Sequence, residues 1–496
     1  MHIHYIKPKS NRKTFHIVRP LLWIGVAAGL VASAATLVTR IFDMDLFGFS
    51  YSPTARTWLA FVVFAYLAAV LISSLGRSSS AVPILIIPFV TQYYQTGLGW
   101  DVATDASSFL RLLPLIVMAL AMWIWIFRHR SGVSWLEALF LTCWAIASLG
   151  WAIGSYYLGL EIGLGALFFV CCLLPGLYYF VKSRLLYSKR FPDEVTIALY
   201  FGFWLFVAGT LLTSLIGMDY RGSSNLLLIR NVNDTNSVVG YMLLTWPFAL
   251  RADQSLLRGR SLPLMVVGFL LVVALSFSRG VFLVSMPLLL LTLALYIRSL
   301  KQTVLLVALF AVIAVIVWPL YGEAILYAWS QRINTSNDGL LIFRTLYSSI
   351  SDQFAGTGRY EIWSSALMMF ARSPLIGNGF GALRSLGPGV AGFSGAHSLL
   401  FQILAEQGIV GFLLIYGLLA GVIVRMLRLL KRTVGAGRRC TLAMLCSFIS
   451  WFIIAHTVGA DAMTLFGAQV NVIAPMLFIL LLFPKTYASI KVVGGQ

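Results

Sequence analysis

The sequence predicts an all-α protein, a polytopic bundle of about twelve to fourteen transmembrane helices with both ends on one side and one large loop on the other. Three observations carry this. The 496 residues are 59% hydrophobic and only 11% charged, whereas a soluble domain keeps about 25% charged residues to cover its surface. Lipid must replace the missing polar surface. Apolar runs of about 17–25 residues recur, each long enough to cross a hydrocarbon core of roughly 30 Å. Basic residues gather in short clusters on alternate connections between those runs, as topogenic cytoplasmic charge does.

The chain divides accordingly into a cytoplasmic N-terminal segment (1–19), transmembrane helices (20–320), a large far-side loop (321–397), C-terminal transmembrane helices (398–484) and a cytoplasmic tail (485–496). The N-terminal segment is basic and no small-residue cleavage site follows it, so the first apolar run reads as a retained signal-anchor. Fourteen spans are expected, near 20–39, 57–75, 81–97, 110–127, 135–155, 163–181, 194–217, 237–250, 261–278, 280–297, 302–320, 398–424, 440–458 and 467–484. The run 237–250 is short for a full crossing and reads as weakly tilted or partly re-entrant. The pair 261–278 and 280–297 is joined by a tight turn at Arg279-Gly280.

Charge tests this map. If the spans alternate, 25 of the 36 basic residues fall on one side, which is the cytoplasmic one. The eleven on the other side are all arginines. Arginine keeps its charge and presents a planar fork that grips phosphate in a bidentate way. The net charge of +19 does not indicate nucleic acid, because no basic face on a polar domain exists to bind it. The five cysteines lie in or beside apolar runs, show neither metal-ligand spacing nor a disulfide framework, and read as buried apolar thiols.

Two far-side loops are more than turns. The first, Gly217 to Asn236, contains Arg221 and Arg230. The second, Tyr321 to Ala396, is about 75 residues long, far beyond an ordinary connection. Within it, "GRYEIWSSALMMFARS" has apolar residues at helical spacing and predicts an amphipathic helix, with Trp363, Leu367, Met368 and Phe370 facing membrane or protein. Pro374 follows, then the glycine-rich "GNGFGALRSLGPGVAGFSG", which is able to bring backbone close to a ligand. It lacks the strand context of a nucleotide-binding loop. His397 stands where this loop meets the next span. Its position alone leaves functional and structural roles open. For Arg279, at the membrane edge, a snorkelling side chain and a phosphate partner are both open.

The stretch Gly358 to Gly408 resembles the signature region of the O-antigen ligase/polymerase superfamily, bacterial membrane glycosyltransferases acting on lipid-linked glycans. The resemblance rests on "GRYEIW" (358–363), "SPLIGNGFGA" (373–382) and "AHSLLFQILAEQGIVGFLL" (396–414), in that order. "SFSRG" (276–280) and "IRNVNDTNSV" (229–238) resemble two further family segments, and a looser likeness extends over about 200–480. Ser398 follows His397 where the family usually has asparagine, which puts a role for that amide in doubt.

The resemblance implies that the large loop is periplasmic and that the protein lies in the bacterial inner membrane. It implies transfer of a glycan from undecaprenyl pyrophosphate to an acceptor hydroxyl, with neither ATP nor a nucleotide sugar and no cofactor; the loops Gly217 to Asn236 and Tyr321 to Ala396 offer no Asp-x-Asp pair for a metal, and none is expected. Negative charge grows on the departing pyrophosphate and needs fixed cations. Arg279 and Arg359 are the expected catalytic cations, and His397 the expected general base. Arg230, Arg221, Glu361, Trp363 and Tyr360 are expected to bind substrate, with Glu361 as a reserve base, and Phe380 is a further ring able to stack on a sugar. Glu406, inside a span, reads as a packing or pairing residue. Expected partners are the lipid-linked oligosaccharide or polysaccharide, an acceptor glycan or glycolipid, membrane lipid and a chain-length regulator protein.

Three function classes compete. A polymerase joining repeat units is favoured, because "GTGRYEIW" looks like exopolysaccharide polymerases. A ligase moving finished polymer onto lipid A–core is the alternative. A flippase for the same units would be expected to carry mid-span charges and two similar halves; mid-span charges are scarce here and no internal repeat is seen.

Overall fold

The computed structural model describes residues 53–74, 80–97, 113–129, 132–157, 168–216, 235–254, 259–275, 279–296, 359–383, 396 and 398–457, with a few isolated positions besides. Every element among them is helical. In chain order these are α1 (Pro53–Ser74), α2 (Val82–Gly97), α3 (Leu113–Arg128), α4 (Trp135–Tyr157), a π-helical turn (Phe168–Leu173) leading into α5 (Leu174–Tyr187), and α6 (Phe191–Ile216). Then come α7 (Thr235–Ala252), α8 (Leu262–Leu275), α9 (Arg279–Tyr296), α10 (Arg359–Arg372), α11 (Leu399–Arg432) and α12 (Gly435–Thr457). Each predicted span that falls on described residues coincides with one of these helices. The run 20–39, and most of 302–320 and 467–484, lie outside the described residues.

Four helices are individually long and apolar enough to cross a membrane: Trp135–Ser155, Phe191–Ala208, Leu399–Arg432 and Gly437–His456. Several shorter apolar helices accompany them. α4 shows what surrounds the bundle. Leu136, Leu139, Phe140, Ile146, Leu149 and Ile153 are all exposed on it. Each would forfeit about 1.5–3 kcal/mol in water, so the protein is a multi-pass membrane protein whose outer faces meet lipid. The cysteines follow the same logic. Cys440 is buried as expected, but Cys143 and Cys171 are exposed on the protein surface, because an apolar thiol on an outer face needs only lipid as cover.

The centre of the bundle is α7, packed between α6 and α12 and touched by α8 and α9. Val239, Tyr241, Met242, Leu243, Trp246 and Ala249 are fully buried, and a helix apolar on all sides belongs in a core. The Trp246 Nε1 donates to Thr292 Oγ1 of α9 at 3.1 Å, and its ring centroid lies 4.8 Å from that of Phe269 in α8. The short predicted run 237–250 is therefore a helix of 18 residues at the heart of the fold, kept short because protein surrounds it.

α5 also departs from expectation. It runs to Tyr187, past the predicted span end at 181, and buries Arg184. The guanidinium carbon stands 3.5 Å from the Trp125 ring centroid, a cation–π contact. Burial lowers the Arg184 pKa to about 10, against the opposing pull of Glu194. That still leaves the side chain charged at neutral pH. Arg184 is thus a packed structural cation.

Candidate functional site

The site is built where α10, the following loop, α4 and a break in α11 meet. α10 forms as its pattern predicts. Ile362, Ala366 and Met369 make the buried stripe, at i, i+4 and i+7. Glu361 stands in the first turn and Arg372 in the last, each sign complementing the helix dipole. Leu367 and Met368 are about half exposed, together with Leu375, Ile376, Ile409 and Leu413 nearby in the chain's apolar surface. Pro374 ends the helix by restricting the residue before it.

The next residues thread into α11. At Gly408, with φ 62° and ψ −159°, the helical ladder is interrupted. In an unbroken helix the amides of Ile409 and Val410 would reach the carbonyls of Ala405 and Glu406. Here Ile409 N–H donates to Pro374 O at 2.8 Å and Val410 N–H to Leu375 O at 3.0 Å. The released carbonyls are taken up in turn. Asn378 gives its backbone N–H (3.2 Å) and its Nδ2 (2.8 Å) to Ala405 O, and Gly379 N–H donates to Glu406 O at 2.9 Å. The loop supplies both acceptors and donors that the break orphans, so irregular backbone is tolerated because it is enclosed by protein.

α4 closes the third side. Trp151 Nε1 donates to Ile376 O at 2.7 Å, and Ser155 Oγ to Phe380 O at 2.8 Å. Phe380 packs edge-on against Trp151 with centroids 5.5 Å apart and is buried. The expected sugar-stacking role for Phe380 is therefore withdrawn: its ring is a core contact. The glycine-rich run likewise brings backbone close to protein. A β-carbon on Gly377 would lie 2.4 Å from the Gln407 amide, and its φ of 71° is one that residues with a β-carbon rarely adopt.

A second network runs from the Glu406 side chain to α10. The Glu406 side chain, 2% exposed, accepts from the backbone N–H of Gly381 and Leu383 and from Gln402 Nε2, the last at 3.3 Å. Gln402 Oε1 accepts from Ala396 N–H at 3.3 Å. The Ala396 carbonyl accepts from Trp363 Nε1 of α10 at 2.8 Å, and the Trp363 ring stacks on Phe401 with centroids 4.9 Å apart. Glu406 therefore has the pairing role read from its place inside a span.

The expected site residues fall as follows. Arg279 is the first residue of α9, and Arg359 and Tyr360 open α10; their side chains lie outside what is described. Glu361 is exposed. Trp363 is half-buried, engaged with Phe401 and Ala396. Arg221, Arg230 and His397 lie outside the described residues, although the neighbours of His397, Ala396 and Ser398, are both buried. Among the described residues no group of three or more His, Cys, Asp or Glu is placed to hold a metal ion. Asn378 and Gln402 escaped the sequence reading. The signal available was a polar residue, Asn378, between two loop glycines and the polar run Glu406-Gln407-Gly408 inside an apolar helix.

Residues 264–416 match the family model described as O-antigen ligase. No curated protein and no solved structure matches the chain. The matched segment covers α8, α9, α10 and the broken first half of α11, which holds all three signature stretches. Over these residues the chain is similar to the O-antigen ligase family, in agreement with the O-antigen ligase/polymerase superfamily that its signature stretches resemble.

Proposed function

We propose that this protein is an inner-membrane glycosyltransferase that polymerises polysaccharide repeat units at the periplasmic face, taking the growing glycan from undecaprenyl pyrophosphate. In the step envisaged, an acceptor sugar hydroxyl attacks the anomeric carbon. The new C–O bond forms as the bond to pyrophosphate breaks, and the electron pair leaves with the phosphate. His397 takes the hydroxyl proton. Arg279 and Arg359 meet the charge that grows on the departing pyrophosphate, in place of a metal ion. Arg221 and Arg230 hold the phosphates of the bound lipid, and Glu361, Trp363 and Tyr360 contact the glycan. A chain-length regulator is the partner a polymerase of this kind would need.

One observation carries this reading beyond the family match. Four residues after Arg359, Trp363 donates to the carbonyl of Ala396, the residue before His397. The helix that opens with the expected cation is thereby tied to the junction that bears the expected base.

A second reading has its own support, since the matched family is described as O-antigen ligase. The ligase would move finished polymer to a glycolipid acceptor by the same chemistry. Purified protein incubated with undecaprenyl-pyrophosphate-linked repeat units tests the proposal. Longer lipid-linked chains are expected. Transfer only to added lipid A–core would favour the ligase, and no transfer to any acceptor would end both. In a deletion strain, single repeats indicate a polymerase and accumulated long lipid-linked chains a ligase.

A further inference from the structure

We infer that Gln402 and Glu406 form a positioning relay that fixes the peptide leading into His397. The inference rests on the reading of His397 as the base and assigns that base its support. Ala396 is held from both sides. Its N–H donates to Gln402 Oε1 at 3.3 Å, and its carbonyl accepts from Trp363 Nε1 at 2.8 Å. That carbonyl shares one planar peptide unit with the His397 nitrogen, so holding it restricts where the next residue begins.

Gln402 is itself oriented. Its Nε2 donates to Glu406 Oε1, which forces its oxygen toward Ala396; a flipped amide would set oxygen against oxygen. Glu406 in turn is anchored by the N–H groups of Gly381 and Leu383 in the signature loop. The carboxylate thus couples three things: the loop that plugs the α11 break, the first turns of α11, and the peptide before His397. A carboxylate suits this place because it accepts several hydrogen bonds and donates none when ionised.

The polarity of the relay yields a test. Glu406→Gln alone brings a second NH₂ group among donors. Gln402→Leu removes both of that side chain's bonds. The exchanged pair, Gln402→Glu with Glu406→Gln, restores every bond. The carboxylate now at position 402 would accept from Ala396 and from the new amide at position 406, whose oxygen would accept from Gly381 and Leu383. A displacement of about 1 Å at a catalytic group can cost 10²-fold.

Each single variant is therefore expected to lower kcat by roughly 10–100-fold with KM within about twofold. The exchanged pair should recover most of the loss. The assay uses the full-length protein in detergent and lipid-linked repeat units extracted from a strain deleted for this gene. Complementation of that strain gives an independent readout. In a His397→Ala background, adding Gln402→Leu should cost little more, because residues acting as one unit are not additive.

Gln402→Leu turning over within twofold of the native protein, or an exchanged pair no better than the worse single variant, would overturn the relay. If Glu406→Gln does not fold, Gln402→Leu and the exchanged pair still decide. His397→Ala separates the two claims. If it retains full transfer, the base assignment fails. If it is inactive while Gln402→Leu is normal, only the relay fails.

Discussion

Gly408 turns its bare α-carbon onto the amide of Gly377: a β-carbon there would lie 2.6 Å from that nitrogen and 2.6 Å from the Leu375 carbonyl oxygen. The contact is reciprocal, since a β-carbon on Gly377 would meet the backbone of Glu406 and Gln407 at 2.4 Å. Both residues also have φ above +60°. Alanine at either position therefore incurs strain of about 1–3 kcal/mol from its backbone conformation and a similar overpacking cost. Gly377→Ala and Gly408→Ala are each expected to lower the thermal midpoint of the detergent-solubilised protein and to abolish transfer. Gly417→Ala, whose β-carbon would meet nothing within 4 Å, is the control and should be neutral or slightly stabilising. Equal behaviour of all three would show that the break is not held by this contact.

Asn378 supplies a second, separable grip. Its Nδ2 donates to Met369 O at 3.0 Å and to Ala405 O at 2.8 Å, joining the end of α10 to the broken edge of α11. Asn378→Ala removes both bonds at about 0.5–1.5 kcal/mol each, while Ala405 O keeps the backbone N–H of residue 378 and Met369 O that of Ser373. Asn378→Asp adds repulsion, because an ionised carboxylate has no donor to offer. Thermal midpoints should fall in the order native, alanine, aspartate. An aspartate variant as stable as the native protein would contradict the assigned contacts.

The helices were legible because a run of lipid-spanning length is a local property of the chain. So was α10 as an amphipathic helix, although its buried stripe is Ile362, Ala366 and Met369, while Leu367 and Met368, read as facing membrane or protein, stand half exposed. The break at Gly408 was not, and 398–424 reads as one span. Its existence depends on Pro374, Leu375, Asn378 and Gly379 arriving to exchange hydrogen bonds with it. The clamp from Trp151 and Ser155 joins residues 225 positions apart, a pairing no local pattern encodes. For the same reason Phe380 could be taken as a sugar platform: a ring beside glycines looks accessible until the helix that covers it is in place. Glu406 was legible as a paired charge inside an apolar run, but its partners were not.

The two helix-opening arginines make distinct demands on substitution. A guanidinium presents a planar fork to phosphate, whereas an ammonium is a point charge. Arg279→Ala and Arg359→Ala are each expected to lose about 10²–10³ in transfer rate, the scale of one transition-state charge partner. Lysine should restore a part at each position. The measurement is the rate of chain extension by purified protein, with membrane insertion checked for every variant. Normal glycan from properly inserted alanine variants would sink the proposed mechanism.

The exposed apolar faces predict where water cannot reach. Leu149 of α4 and Leu413 of α11 lie on helices long and apolar enough to span, and both are exposed on the protein itself. Leu375 is 67% exposed in the signature loop, yet its carbonyl is bonded to Val410, well inside the span that starts at Leu399, so it should sit at the depth of Val410. Glu361, exposed on α10, carries a charge that lipid would exclude. Single cysteines at these four positions, in a background with the five native cysteines replaced, give the test in intact membranes. A membrane-impermeant maleimide should label Glu361→Cys rapidly and leave Leu149→Cys and Leu413→Cys unlabelled until detergent is added. Leu375→Cys is expected to behave like the latter pair, placing the loop that plugs α11 within the bilayer. Rapid labelling of Leu375→Cys beside protection of Leu413→Cys would instead lift that loop into the aqueous phase, above the membrane surface.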